Sequence, residues 1–270
     1  MLRTTIERSG RAGPARHSAP ARLLSPLSAV LALLTLVGPA GAQTPREILL
    51  RVDQLLRGES SHGKVTMEIT TEHWSRSLDM EVWSLGTDYS LIRVESPPRE
   101  AGTSTLKAGQ EVWNYLPRVD RTIKVPPAMM MGAWMGSHFT NDDLVKESSI
   151  VDDYDFEITF EGERDGAEIW EFHLVPKPEA PVVWGHVEYE VRKEDLMPTH
   201  VRYYDEDGDL ARTMDFSDYG RMGGRLVPAR MDVIPADKPE ERTTLIYHEL
   251  DFDIGLDESF FSLRNLRARR

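Results

Sequence analysis

The residues of this chain that could do chemistry are 8 histidines and 45 acids, since there is no cysteine. Thiolate metal sites, cysteine nucleophiles and disulfides are therefore excluded. The histidines are scattered singly; His173 and His186 fall in strands of different hairpins and could meet. Isolated strand histidines are mostly structural, so no metal is assigned. Asp205-Glu206-Asp207-Gly208-Asp209 resembles the first half of a calcium loop but lacks the downstream glutamate, and reads as an Asp-Gly hairpin turn. Asp142 and Asp143 follow Thr140 and read as the acids of a helix N-terminus. There is no G-x-S-x-G elbow, no H-E-x-x-H and no glycine-rich phosphate loop. The expectation is a non-enzymatic protein without a cofactor.

One apolar stretch has a different character. Met129, Met130, Met131, Trp134, Met135 and Phe139 crowd around Gly132 and Gly136, after Pro126-Pro127. Methionine suits surfaces that accommodate variable apolar partners, and the glycines permit movement, so this segment is expected to be a lid. The competing reading is a loop that contributes only to the core.

The elements around it are mostly strands. Thr44-Pro45 starts a helix in which Ile48, Leu49, Val52, Leu55 and Leu56 recur at helical spacing until Gly58. The period then becomes two. Val65, Met67 and Ile69, then Leu78, Met80 and Val82, alternate with polar residues, and Trp170, Phe172 and Leu174 repeat the pattern later. These nine are expected on one concave, apolar side. Strands are read at 89–95, 103–107, 111–116 and 121–125, then at 154–160, 168–175, 182–192, 199–205, 210–216, 226–233 and 242–252, with turns at Asp165-Gly166 and Gly223-Gly224. About a dozen strands with short links predict an α+β, β-dominated fold: one curved antiparallel sheet or open barrel with an N-terminal helix. The segment 256–266 is expected to pack back on the sheet.

Five arginines (Arg3, Arg8, Arg11, Arg16, Arg22) and Glu7 precede an apolar run from Leu23 to Val37 and then Ala40-Gly41-Ala42. That order predicts a secretory signal over 1–42, cleaved after Ala42, and a single exported domain over 43–270. Removing that segment from the totals of 32 basic and 45 acidic residues leaves 27 and 44, a charge of −17. So acidic a surface repels nucleic acid and anionic membranes and suits a shuttle.

The order of elements resembles the LolA/LolB-like family of periplasmic carriers, in particular its outer membrane lipoprotein-sorting group. The resemblance rests on the helix at 45–56, the Ser96-Pro97-Pro98 turn, the run Leu106-Lys107-Ala108-Gly109-Gln110-Glu111-Val112-Trp113-Asn114-Tyr115-Leu116-Pro117, and the lid-like 126–144. It implies an incomplete barrel closed by helices, whose apolar cavity shields the acyl chains of a lipoprotein or lipid between inner and outer membrane. It also implies an RND/MMPL-type inner-membrane transporter as partner. A non-catalytic adaptor of such a transporter is the alternative. The lipoprotein carrier's arginine, in a Lys-Arg-Pro run after its second strand, has no counterpart: Ser84-Leu85-Gly86-Thr87 stands there, and Arg93 lies on the next strand.

Overall fold

The computed structural model describes residues 44–145, 150–180 and 182–268. The expected signal segment lies outside the described residues. Helix α1 (Pro45–Arg57) opens the fold with proline in its first turn. A capping box starts it: Glu47 N donates to Thr44 Oγ1 at 3.3 Å and Thr44 N to Glu47 Oε2 at 2.8 Å.

Thirteen strands follow among the described residues. The first series is β1 (Ser60–Thr70), β2 (Ser75–Leu85), β3 (Tyr89–Ser96), β4 (Ser104–Ala108), β5 (Glu111–Leu116) and β6 (Arg121–Lys124). After the short helices α2 (Asn141–Val145) and α3 (Ile150–Asp153) come β7 (Tyr154–Arg164), β8 (Ala167–Pro176), β9 (His186–Arg192), β10 (Pro198–Tyr204), β11 (Leu210–Met222), β12 (Arg225–Pro235) and β13 (Arg242–Phe252). Helix α4 (Leu263–Leu266) ends the described chain.

All strands join one antiparallel sheet in the order β6-β5-β4-β3-β2-β1-β13-β12-β11-β10-β9-β8-β7. It does not close: β6 and β7 are its edges. The first series runs outward from the centre to β6, the chain crosses to the opposite edge, and the second series runs back until β13 pairs with β1. Residues 125–153 are thus the link between the two edges of the sheet, and that link contains the lid-like segment. Asp165 (φ 51) with Gly166 (φ 82), and Gly223 (φ 53) with Gly224 (φ 81), make the two-residue hairpin turns, whose positive φ values match the twist of the long strands they join. Register shifts at Lys64/Val65, Asp79/Met80 and Ile158/Phe160 are irregularities of the kind that bend strands.

One boundary differs from the sequence reading. Residues 182–185 precede β9 rather than belong to it, because Gly185 crosses Asp205 so closely that a Cβ there would lie 2.1 Å from the Asp205 carbonyl oxygen. The 205–209 acids form a turn, with Asp205 Oδ1 accepting from the backbone N–H groups of Asp207 and Asp209.

Register assigns the faces. Val65, Met67 and Ile69 pair with Tyr247, Leu245 and Thr243, and the same face continues through Met231, Val233, Met214 and Val201 to Tyr189, Phe172 and Leu174. In the other direction it passes through Leu78, Met80 and Val82 to Ile92 and Val94. All nine residues expected on one side therefore share this inner face. Helix α1 packs on its second half, where Ile48, Leu49 and Val52 join Phe172, Tyr189 and Val233 in one cluster. The C-terminal segment covers the other, outer face of the first series: Phe261 and Leu266 pack with Trp83, Leu91 and Leu106, and the buried Arg93 donates to the Asn265 carbonyl at 2.7 Å.

Candidate functional site: a latched cover on the inner sheet face

The link between the sheet edges places Trp134, Met135, Phe139 and Leu144 against Val65, Met67, Ile69, Leu78 and Met80. Phe139 also touches the α1 cluster, so it bridges the two halves of the inner face. Two 3-10 turns, Pro127–Met129 and Trp134–Gly136, build the segment. It is bonded to itself: Trp134 N donates to Phe139 O at 2.7 Å, Asn141 Nδ2 to the carbonyls of Met129 and Gly132, and Asp142 N to Met130 O. This makes it a compact unit rather than a loose loop. Met135 (φ 51) and Gly136 (φ 76) are both left-handed, and for Met135 that conformation costs roughly 1–2 kcal/mol.

The methionines divide between two sides. Met130 and Met135 are partly buried, the latter on the sheet, whereas Met129 and Met131 are 60% and 56% exposed. Met129 and Met131 thus lie on the side of the segment turned away from the sheet. The backbone bonds around Gly132 and Asn141 fold the segment into a unit with two sides, and only one can touch the sheet.

Four polar ties hold this unit down. Arg212 of β11 sits on the inner face in register between Tyr203 and Pro235 and is 7% exposed. Its Nη1 and Nη2 donate to Asp143 Oδ2 and Oδ1 at 2.8 and 2.7 Å, while the guanidinium lies 4.6 Å from the ring centroids of both Trp184 and Tyr203. Asp143 also accepts from Thr140 N at 2.7 Å. Burial pushes the Asp143 carboxyl up, but Arg212 and Thr140 outweigh it and hold it below the ordinary aspartate range. Burial likewise lowers Arg212, and Asp143 more than reverses this.

The second tie is His138. Its backbone N–H donates to Thr243 Oγ1 at 3.0 Å, and its Nδ1 and Nε2 lie 2.9 Å from Thr243 Oγ1 and 3.2 Å from Glu241 Oε2. With the Thr243 hydroxyl donating to Nδ1, the ring proton sits on Nε2 and donates to Glu241. That bond holds the Glu241 carboxyl below its ordinary range. Third, Trp134 Nε1 donates to Thr105 Oγ1 at 3.1 Å. Fourth, Arg76 Nη1 donates to Met135 O at 3.0 Å while its Nη2 pairs with Glu100 at 3.1 Å.

Asp143 was legible in sequence only as a helix-capping acid, and its partner not at all. The signal was nevertheless present: Arg212 precedes Met214 and Phe216 at period two, a charge in an inward slot. Two surface clefts, of about 400 Å³ beside Asp152, Asp153 and Lys177 and about 480 Å³ beside Asp53, Arg57 and Arg225, lie away from these side chains. The inner face itself is occupied by the covering segment and α1. No described helix is long and apolar enough to cross a membrane.

Residues 86–268 match the model of a family described as an uncharacterized protein, and the chain belongs to that family. No curated protein matches the sequence. Three solved structures share the fold. A DUF1329 family protein from Desulfovibrio piger superposes with a TM-score of 0.73 at 24% identity, over 82% of this chain and 97% of that one. A domain from Vibrio parahaemolyticus named for outer membrane lipoprotein sorting gives 0.72 at 22%, over 83% and 98%. A LolA superfamily protein from Nitrosomonas europaea gives 0.69 at 20%, over 83% and 100%. The fold is thus LolA-like, a β-dominated, unclosed antiparallel sheet with few helices.

Proposed function

We propose that this chain is a non-catalytic periplasmic carrier, exported by removal of 1–42, that shelters the acyl chains of a lipoprotein or lipid on its inner sheet face. The observation that carries the reading is the way that face is covered. An apolar surface, broken by Arg76, Thr105, Arg212 and Thr243, lies beneath a segment that adds to its apolar packing several polar ties, and these can be exchanged for water when it lifts.

The magnitudes allow such an exchange. Lifting Trp134, Met135 and Phe139 costs about 1.5–3 kcal/mol for each side chain exposed. A 14-methylene chain entering in their place gains about 0.8 kcal/mol per CH₂, roughly 11 kcal/mol. Cargo and cover thus compete for one surface on comparable terms, and loading shifts the population toward the lifted state. Val65, Met67, Ile69, Leu78, Met80 and Val82 would line the surface released, with Trp170, Phe172 and Leu174 continuing it beneath α1. The name of the Vibrio protein, a lipoprotein-sorting domain, supports a lipoprotein cargo. The partner expected from the resemblance is an RND/MMPL-type inner-membrane transporter.

Native mass spectrometry of protein purified gently from its own periplasm tests the reading. Bound lipid or acylated peptide is expected, and Met80→Asp, which puts a charge on the inner face, should abolish it. Recovery of empty protein that also fails to take up a fluorescent fatty acid would point instead to an adaptor.

A further inference from the structure

On the outer face of the second strand series, away from α1 and the cover, two imidazoles and a carboxylate come together. His173 of β8 pairs in register with Glu188 of β9, and His186 lies two residues before Glu188 on the same strand, so all three share a face. One donor atom from each lies within 4.8 Å of the others. The two imidazole centroids are 4.8 Å apart, and all three residues are partly buried.

We propose that His173, His186 and Glu188 form a binding site for a divalent transition metal ion, Zn²⁺ or a close neighbour.

The donor set suits such an ion. Imidazole nitrogen and carboxylate oxygen are ordinary Zn²⁺ ligands, and three protein ligands leave a position for water or a further group. A His-x-Glu pair on one strand and a histidine on its neighbour place three donors at the corners of a triangle. Tetrahedral coordination places such donors about 3.3 Å from one another, and the three already lie within 4.8 Å here, within reach of small side-chain torsions.

Two further observations separate this cluster from an ordinary polar patch. Neither imidazole has a hydrogen-bond partner among the described residues, which leaves their ring nitrogens available as ligands, whereas those of His138, His200 and His248 are engaged. Both rings are only partly buried, so their nitrogens remain open to an incoming ion. In addition, the carboxylate is already oriented. Arg202 Nε at 2.5 Å and the Tyr204 hydroxyl at 3.1 Å both donate to Glu188 Oε2, so Oε1 can take a cation without displacing them. Tyr204 also stacks on His186, 4.1 Å between centroids and 11° from parallel, fixing that ring. Glu157, exposed on β7 and the register partner of His173 on its other side, places another carboxylate beside the site.

The sequence reading allowed His173 and His186 to meet, but Glu188 joins them only through the register of β8 against β9. The site lies on the opposite face from the proposed acyl surface, so its test is independent of cargo.

Chelator-treated protein is titrated with ZnCl₂ by calorimetry and, in parallel, with Co²⁺ by visible absorption. One saturable equivalent with micromolar affinity is expected, with cobalt bands of low-symmetry coordination and a melting temperature raised by about 5 °C at a hundredfold excess over Kd. His173→Gln, His186→Gln and Glu188→Gln should each weaken binding at least tenfold, and His248→Gln should leave it unchanged. Imidazole NMR signals of the wild-type protein give a readout free of folding effects: those of His173 and His186 should shift together. Absence of saturable binding, or metal-induced shifts confined to other histidines, would overturn the proposal.

Discussion

Helix α1 and the segment at 126–144 cover two halves of the same sheet face by different means. Helix α1 relies on burial: Ile48, Leu49 and Val52 are at most 2% exposed and pack among residues of the second strand series. At its C-terminal end Arg225 Nη1 also donates to Gln54 O at 2.9 Å. The covering segment buries Trp134 but leaves Met135 and Phe139 only partly buried, and makes up the difference with Arg212–Asp143, His138–Glu241, Trp134–Thr105 and Arg76–Met135. Apolar burial is lost when the surfaces part, whereas each polar tie regains hydrogen bonds from water. On the proposed reading, one cover is part of the core and the other lifts.

The difference can be broken from either side. Leu49→Ala should cost about 2–5 kcal/mol of global stability in a denaturant titration, with the affinity of the folded fraction for a fatty acid unchanged. A loss below 1 kcal/mol would put α1 in the same class as the other cover. Asp143→Asn removes a charged pair whose hydrogen bonds are worth about 1.5–3 kcal/mol each, but lifting the cover lets Arg212 reach water and so limits the global loss. Hydrogen exchange at 126–144 should rise at least tenfold while α1 exchanges as before; equal acceleration in both would show that they open together.

Acid should act in the same direction. Asp143 and Glu241 both have folded pKa values below their unfolded ones. Their contribution is thus complete above the ordinary carboxylate range and is lost as pH falls through the folded values. Exchange at 126–144 should be flat, after correction for intrinsic rates, from pH 5 to 8 as far as these carboxylates are concerned, and accelerate below about pH 4. The smallest effect is expected at the outer side of the cover, where Met129→Ser and Met131→Ser should change stability by less than about 0.5 kcal/mol because both side chains are largely exposed.

Local patterns carried most of the fold. Alternation at Val65–Met67–Ile69 and Trp170–Phe172–Leu174 put those residues on one face, and Asp165-Gly166 and Gly223-Gly224 marked hairpin turns because few residues adopt left-handed conformations. What was not legible depends on contacts between distant residues. Nothing local says that β13 returns to pair with β1, that the link between β6 and β7 must therefore join opposite edges, or that Arg212 meets Asp143 across 69 residues. The division of the methionines between sheet and solvent follows from backbone bonds at Gly132 and Asn141, which hydropathy does not encode.

Since the chain has no cysteine, one engineered disulfide can fix the cover without competing thiols. His138→Cys with Thr243→Cys uses a position where the backbone nitrogen of one residue lies 3.0 Å from the side-chain oxygen of the other. Binding of a fluorescent fatty acid to this double variant, oxidised and then reduced, measures directly whether cover and cargo compete. Loss of binding when oxidised and its recovery on reduction are predicted; equal affinity in both states would contradict the account.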